Sequence, residues 1–587
     1  MIRKQFLKMI IGQILVSLSV TICTFIDGAM IGKNLGPEAI AAFGLSLSVV
    51  TLFSAVGGTV AAGVQVVIGH AVGSGDRDEL NQAFSTSVIL CIILSLLSLV
   101  GTLAFLNPLV SFLGAEPGSL VEVHTRQYLI GFALGCPAFI AFMIINPFYL
   151  ILGKQSVVLM ATLIMSITDI IGDIANVFVF HGGSFGMSLA SSVSYVAAFL
   201  YLIAFFPGIK DRVSFAVKGF NATLVKALLV AGSAFALNQI CRVFFSVFAN
   251  RVVISAGGDE LLAAFTISKN VYIIFQSAGL GIAAATLLIT GVIWGERNRA
   301  SIEEILRAVF RYSLIINLAI IVVVELSAGV LCKAFLKGNV EILEASVTCL
   351  RIYILGTVLF SVNSSLRSFY QGIGKMALSQ GLCVLQMVVI PVALLLGVLY
   401  MFNGNPVLLW SSLVIAEVVT FGIILLICII KNKRVMRLHK ALVLGALEDS
   451  DNEPYVFHIR SEADAVSASR EIFDIYKKTF PGGRNSMKMA LCVEEIGMNY
   501  IRFGREKKSS EMEVRFLISG ERLRLECRDD GSVFDPCEYM KEPHAGVTEE
   551  SDGRYIGLYL VFNIASDIKY INVMGLNSLI IEMEERQ

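Results

Sequence analysis

F-I-D-G-A-M-I-G-K-N-L-G-P-E-A-I-A-A-F-G-L-S, residues 25–46, returns as F-A-N-R-V-V-I-S-A-G-G-D-E-L-L-A-A-F-T-I-S, residues 248–268, its later part 222 positions on. The frame holds without a gap through the later part. Gly36 pairs with Gly258, Glu38 with Glu260, Ala41-Ala42-Phe43 with Ala263-Ala264-Phe265, and Ser46 with Ser268. It continues through Phe53 and Phe275, Gly57 and Gly279, Gly69 and Gly291, and Gly73 and Gly295. A second echo follows, F-Y-L-I-L-G-K at 148–154 against F-Y-Q-G-I-G-K at 369–375. A long internal repeat in an apolar chain implies two structurally equivalent lobes, the plan of many secondary transporters.

Composition divides the 587 residues into two bodies. The chain is 56% hydrophobic and 16% charged with zero formal net charge, against about 25% charged in soluble domains. No overall field favours nucleic acid. Charge is sparse up to about Ile430 and dense after it. The eleven cysteines form no C-x-x-C pair, and most lie in apolar runs, as Cys91, Cys241 and Cys428 do. They read as small buried hydrophobes.

An apolar run of about 20 residues spans a bilayer as a helix. Twelve such runs are expected, near 10–31, 40–69, 84–106, 128–151, 157–180, 186–207, 228–255, 262–293, 310–332, 351–372, 378–401 and 407–430. This divides the chain into an N-lobe of six spans (1–220), a C-lobe of six (221–430), a linker (431–454) and a soluble domain (455–587). With a cytoplasmic N-terminus, the inner segments hold 19 Lys and Arg and the outer segments 5. That is a positive-inside pattern, and an even number of spans puts the C-terminal domain in the cytoplasm as well. Arg3, Lys4 and Lys8 precede the first run, but that run is long enough to span rather than be a cleaved signal.

Ionisable groups within the spans need a function or a partner, since an Asp at a helix centre costs roughly 2.5–3.5 kcal/mol on insertion scales. Asp27, Asp169, Asp173, Arg242, Lys269, Glu325 and Glu417 fall there. Asp169 and Asp173, four apart, share one helix face, with Asn176 on the next turn. Two close carboxylates share a proton or a cation, as proton or sodium coupling requires. For Glu325 and Glu417, pairing with neighbouring helices is the competing reading.

D-G-A-M-I-G-K-N-L-G-P-E-A-I-A-A-F, G-S-G-D-R-D-E-L after the second span, and D-I-I-G-D-I-A-N-V-F-V-F before G-G-S-F-G-M-S-L-A together resemble MATE-type (multidrug and toxic compound extrusion) transporters over residues 1–430. The resemblance implies two six-helix bundles facing a central cavity, and export of cationic or amphipathic compounds against an inward proton or sodium flow. It places an N-lobe ion site at Asp27, Asn146, Asp169 and Asp173. Asp169 is acidic where the family usually has Asn, leaving the ion open. Acidic groups of some members in the seventh and tenth helices are replaced by Asn238, Gln239 and Asn363, with Arg242 and Lys269 nearby. A second ion site of that kind is not expected, and a basic C-lobe cavity suits anions.

The linker is basic, then acidic, and its basic part suits an anionic lipid surface. From Tyr455 short elements follow. A strand at V-F-H-I-R, helices over 463–478 and 486–503, a hairpin turning at Gly520, a helix over 555–566 and closing strands over 568–583 make an α+β sandwich. Glu495 and Asn499, four apart on one helix face, suit orienting water and holding magnesium. Asp529-Asp530-Gly531 ends a strand, where a carboxylate can accept from an amino group. Gly553 precedes Gly557 at a helix start, where backbone N–H groups can approach phosphate. In this order the three pieces resemble the nucleotide boxes of GHKL-type ATP-binding domains, closest to the anti-sigma-factor serine kinases. By that resemblance Asn499 binds magnesium, Glu495 is the base, Asp529 reads adenine, and Gly531, Gly553 and Gly557 shape the pocket. Tyr555 replaces a Gly of the usual run, and Phe503 stands where a His often follows. These departures favour binding over fast turnover. No phospho-accepting His module is evident.

The leading reading is a multi-pass transporter of the cell membrane, bacterial, coupled to H+ or Na+, with a domain that binds ATP and magnesium and adjusts transport. One alternative is a membrane sensor whose domain phosphorylates a serine of an anti-sigma-antagonist-like partner. Another is a lipid-linked saccharide flippase. No G-x-x-x-x-G-K-[ST] loop is present to power transport by ATP directly.

Overall fold

The computed structural model describes residues 2–584 apart from 211–212, 297–298, 334–339, 433–441, 443–453, 481–484, 505–510, 520–521 and 542–551. Most of the linker and the hairpin turn at Gly520 lie outside the described residues. The first lobe contains α1 (Ile2–Asn34), α2 (Pro37–Ser74), α3 (Arg77–Ala104), α4 (Leu120–Ile151), α5 (Gln155–Ala175) and α6 (Gly183–Ala204), besides shorter turns. The second contains α7 (Ala222–Gly295), α8 (Arg299–Lys333), α9 (Val340–Ile354), α10 (Thr357–Gly372), α11 (Met376–Val384), α12 (Ile390–Met401) and α13 (Pro406–Asn432). A π-helical turn, Leu385–Val389, joins α11 to α12.

Among the described residues, 10 helices are long and apolar enough to cross a membrane. The bent pair α9–α10, turning by 47°, makes up to 11. The 74-residue α7 is broken by non-helical backbone at Gly257 and Gly258, so it supplies two rods where the sequence suggests two spans. The repeat explains the break. Gly258 has φ 68° and its mate Gly36 has φ 94°, a region where only glycine sits freely. The second echo carries the same signature, with Gly153 at φ 80° and Gly374 at φ 76°. The G-S-G-D-R-D-E-L segment is a corner. Gly75 ends α2 in the left-handed conformation, and Asp76 caps α3 by accepting from the Glu79 N–H at 2.8 Å.

Repeat mates also meet one another. A Cβ on Gly69 would lie 3.0 Å from the Gly291 carbonyl carbon, and one on Gly73 would lie 2.9 Å from Gly295 Cα and run into Val292 O. Self-contact of equivalent positions is what a pseudo-two-fold axis between lobes produces. His70 adds a cross-lobe hydrogen bond, 2.8 Å from Nε2 to Gly372 O. These contacts sit at the C-terminal ends of α2 and α7, so the lobes are shut against each other there.

The C-terminal domain is a five-stranded antiparallel sheet, order β1-β2-β3-β5-β4. Its strands are β1 (Tyr455–Ile459), β2 (Met512–Ser519), β3 (Arg522–Asp529), β4 (Asp567–Val573) and β5 (Leu576–Glu584). One face packs Val514, Phe516, Leu525 and Ile581 under α14 (Glu462–Thr479) and α15 (Ser486–Asn499), while α16 (Asp552–Ile564) contributes Val561. Period-two alternation sends Glu513, Arg515, Glu526 and Arg528 to the other face. Opposite charges face each other across the ladder, Glu513 opposite Arg528 and Arg515 opposite Glu526. That face does not meet water. All four side chains are buried, because the sheet lies on the shut end of the helical lobes.

The docking reaches both lobes. Arg528 pairs with Glu296, just beyond α7; Arg524 donates to Glu296 O at 3.2 Å and Arg515 to Ser301 Oγ at 2.7 Å. On the first lobe, Arg77 pairs with Asp535 at 2.8 Å, and the Met574 N–H donates to Ile151 O at 3.0 Å. Ile571, Val573 and Ile580 join the apolar core of the helical bundle.

Substituting Gly73→Ala puts a methyl against the Val292 carbonyl, a steric cost of about 1–3 kcal/mol. Gly44, on the same helix with nothing within 4 Å of where a Cβ would stand, is the control, since Gly44→Ala should gain about 0.5–1 kcal/mol. Melting of the purified full-length protein should move in opposite directions for the two variants.

Candidate functional site

The first candidate site is in the N-lobe. Asp27 comes from α1, and Asp169 and Asp173 from successive turns of α5. One carboxylate oxygen from each lies within 4.8 Å of the others. Asp169 and Asp173 are buried, and Ser191, Ser194 and Cys23 stand against Asp169. Asp27 Oδ1, Asp169 Oδ1 and both Asp173 oxygens are buried without a hydrogen-bond partner. Buried carboxylate oxygens left unpaired are costly, and such a set suits protons or a hard cation that takes oxygen ligands. Neighbouring Asn176 plays another part. Its Nδ2 donates to Gly183 O and its Oδ1 accepts from Gly182 N, tying the turn after α5.

Asn146 lines the central cavity between the lobes, with Oδ1 buried and unpaired. That cavity has a volume of about 390 Å³. From the other lobe its wall receives Asn238, Gln239, Arg242 and Arg367. A smaller adjoining cavity, about 120 Å³, is lined by Arg242, Lys269 and Glu417. Glu417 accepts from Asn363 Nδ2 at 2.7 Å and from Gln386 Nε2 at 2.9 Å. Glu325 pairs with Arg351 at 3.5 Å. The neighbouring-helix reading thus accounts for both glutamates. Sequence reasoning passes over Arg367, although a lone Arg in the run S-S-L-R-S is an available signal.

The second candidate site is in the C-terminal domain. Asn499, Asp529, Phe534, Leu558 and Asn577 line a pocket of about 70 Å³ beside α15 and the end of β3. Asp529 accepts from Asn577 Nδ2 at 2.8 Å and from the Gly531 N–H at 2.9 Å. Burial pushes the Asp529 carboxyl up to about 6, and those two hydrogen bonds oppose the rise. Burial and then the charge of Glu494 raise Glu495 above the usual carboxylate range. Asn499 Nδ2 donates to Glu495 O at 3.1 Å, while its Oδ1 is buried and unpaired. Gly557 closes over this pair, since a Cβ there would run into Glu495 Oε2 and lie 2.9 Å from Asn499 Nδ2. The fold thus brings Glu495, Asn499 and Gly557 together at one end of the pocket and Asp529 with Gly531 at the other. Gly553 is near the start of α16. An acceptor oxygen free on Asn499, beside a carboxylate, suits a magnesium ion, and the pocket around Asp529 suits a flat base.

Asn577 is the residue sequence reasoning missed. It also donates to Ser532 O at 2.9 Å and accepts from Tyr570 Oη at 2.7 Å, so one amide holds Asp529 and the loop after it. In Asn577→Ala, Asp529 loses a buried partner at a cost of about 1–3 kcal/mol. Limited proteolysis of the full-length protein should then cut the C-terminal domain sooner while leaving the helical lobes as resistant as in wild type.

Comparison with known proteins bears on the domains that carry the two sites. The MatE family model matches residues 13–175 and 234–397, one segment in each lobe. The histidine kinase-like ATPase domain model matches residues 452–583. The multidrug export protein MepA of Staphylococcus aureus is 22% identical over 401 residues, covering 67% of this chain and 86% of MepA. MepA of Staphylococcus haemolyticus is 23% identical over 410 residues, with the same coverage. Among solved structures, a MATE in complex with MaL6 aligns with a TM-score of 0.67 at 24% identity, over 72% of this chain and 94% of that one. An outward-facing multidrug resistance MATE transporter of the MOP superfamily aligns with a TM-score of 0.67 at 22% identity, over the same shares. With the family model matched in both lobes and across more than half its length, the chain belongs to the MatE family of efflux transporters, and it carries a histidine kinase-like ATPase domain at its C-terminus.

Proposed function

We propose that the protein is a proton- or sodium-coupled antiporter that exports organic compounds across a bacterial plasma membrane through twelve spans. Both termini are cytoplasmic, and the ATPase-like domain regulates transport. The observation that carries the coupling is the trio Asp27, Asp169 and Asp173, whose unpaired oxygens converge inside the N-lobe. Three carboxylates this close repel unless cations neutralise them. A proton or a sodium ion meets that need and leaves when the lobe rearranges. Lysines and arginines concentrated on the domain-bearing side support the cytoplasmic orientation, as does a nucleotide site on that side.

Asn499, Glu495 and Asp529, with Gly531, Gly553 and Gly557, would hold ATP and magnesium. Magnesium there would offset phosphate charge. Regulation is supported by where the domain sits. It grips Glu296 of one lobe and Arg77 and Ile151 of the other. Opening the lobes at this end requires those grips to slide or break. Arg528, which holds Glu296, is adjacent in sequence to Asp529 of the nucleotide pocket. Occupancy of the pocket is therefore one residue away from the clamp.

A second reading, a serine kinase acting on a partner protein, is favoured by the place of Glu495 beside Asn499 under Gly557, where burial raises its affinity for a proton, the direction a general base needs. It is compatible with the first.

In proteoliposomes with an imposed proton or sodium gradient, Asp27→Asn should abolish gradient-driven efflux while the protein stays folded. Undiminished efflux would discard the coupling assignment. The clamp has its own test. Arg528→Ala leaves Glu296 buried and unpaired, costing about 3–5 kcal/mol. The double variant Glu296→Gln with Arg528→Met should recover most of the loss in melting temperature. It should also transport at a rate that no longer responds to ATP.

A further inference from the structure

The N-lobe trio is acidic, but the wall of the central cavity is not. No Asp or Glu is among the residues lining the cavity of about 390 Å³. Two guanidinium groups are, Arg242 from α7 and Arg367 from α10, and Lys269 joins Arg242 in the adjoining cavity. Arg367 is 8% exposed, with Nε buried and unpaired. Its other contacts are neutral. Nη2 donates to Ser364 Oγ at 3.2 Å, and the Asn238 amide, turned to face it with its oxygen, accepts from Nη1 at 2.7 Å. Arg242 reaches Gln239 Oε1 only at 3.5 Å, and Lys269 donates to Ser246 Oγ at 2.7 Å. Among the described residues none of the three cations forms an ion pair, although Glu325, Glu303 and Glu304 each do so elsewhere. Glu417, which lines the adjoining cavity with Arg242 and Lys269, is hydrogen-bonded by Asn363 and Gln386 and feels the charge of Arg367 without an ion pair to it.

Three cations against one carboxylate, in helices that cross a membrane, are unfavourable unless an anion completes them. A guanidinium fork suits carboxylate, sulfonate or phosphate. The remaining wall mixes neutral polar side chains such as Gln65, Asn146 and Gln371 with apolar ones, among them Phe142, Phe235 and Leu280, and a cavity of a few hundred Å³ is the size of a small-molecule site. We propose that this cavity binds an amphipathic organic anion, its acidic group held by Arg242 and Arg367 with Lys269 behind, and its apolar body against the phenylalanines. The inference rests on the exporter reading for the role of the cavity and gives that exporter a substrate class opposite in charge to a cationic drug. It also keeps substrate and coupling cation apart, in lobes of opposite sign.

Equilibrium binding to the full-length protein in detergent, without any gradient, tests this separately from coupling. Carboxyfluorescein, followed by anisotropy, represents a soluble anion; dihexanoyl phosphatidic acid, as competitor, represents a lipid headgroup; ethidium represents a cation. Carboxyfluorescein should bind, more weakly at high salt. Arg242→Gln and Arg367→Gln should each weaken it about tenfold or more, the loss of a charge-assisted hydrogen bond. Competition by the phosphatidic acid would assign the anion to lipid headgroups as well, and its absence to soluble anions; ethidium should not compete. Displacement by ethidium, anion binding unchanged in the variants, or no anion binding would overturn the proposal. A ligand-independent check accompanies it. Without ligand, Arg242→Gln should melt at or above the wild-type temperature, because it removes an uncompensated charge. A lower melting temperature would mark the guanidinium as a structural partner and overturn the assignment. If binding behaves as stated but Asp27→Asn still transports, the coupling reading fails and the anion site stands.

Discussion

The close approach of α2 to the last turns of α7 is the constraint on which the rest depends. Only glycine at positions 69, 73, 291 and 295 lets the two backbones meet, and each glycine's partner is its own repeat mate or a neighbour of it. The lobes are therefore packed at one end through backbone contact, with buried side chains such as Ile68, Ala71, Val72, Ile289 and Val292 sharing one apolar cluster around it. Such a seam is held by van der Waals fit and a few hydrogen bonds, as in other helix pairs that pack through small residues. The central cavity opens just beyond this seam, where α2 carries Gly58, Ala61 and Ala62 into its wall.

The C-terminal sheet lies across the same seam, and the symmetry of the lobes breaks there. Ile151 and Gly372 are mates in the second echo. Gly372 O accepts from His70 across the lobes, whereas Ile151 O accepts from the Met574 N–H at the tip of the β4–β5 hairpin. One of two equivalent helix ends is thus used to close the lobes and the other to seat the domain. Gly153 and Gly575 make the seat possible, since a Cβ on Gly153 would lie 2.7 Å from Gly575 N. The domain is held by backbone at this point and by buried charge at Glu296, two attachments on different lobes that cannot both persist if the lobes rotate apart.

The two-lobed plan was legible because the repeat kept its frame, and a glycine required at φ 68° in one lobe is required near φ 94° in the other. The boundaries of the C-terminal elements were legible from alternation and caps. Asp169 and Asp173 could be placed together by helix period alone; that Asp27 joins them rested on resemblance, and the packing of α1 against α5 brings it there. Asn146, grouped with these by resemblance, lines the central cavity. What the sequence concealed was the burial of the hairpin's charged face. Arg515, Glu526 and Arg528 alternate with apolar residues as a solvated strand face does, and nothing local distinguishes a face covered by water from one covered by another domain. Asn577 was hidden for a similar reason: an Asn after a Gly turn reads as turn chemistry until the fold brings it to Asp529.

The distribution of charge gives the two lobes different work despite their common origin. The first lobe gathers three carboxylates, and the second presents three cations to the central cavity and the one adjoining it. In a medium of low dielectric each set is stable only when completed by ions of opposite sign. Emptied, each set repels itself while the two sets, opposite in sign, attract one another across the lobes; filling either one weakens both effects. On the proposed coupling and substrate assignments, binding on either side would bear on whether the lobes stay shut, and the sheet that bridges the seam would act on the same equilibrium.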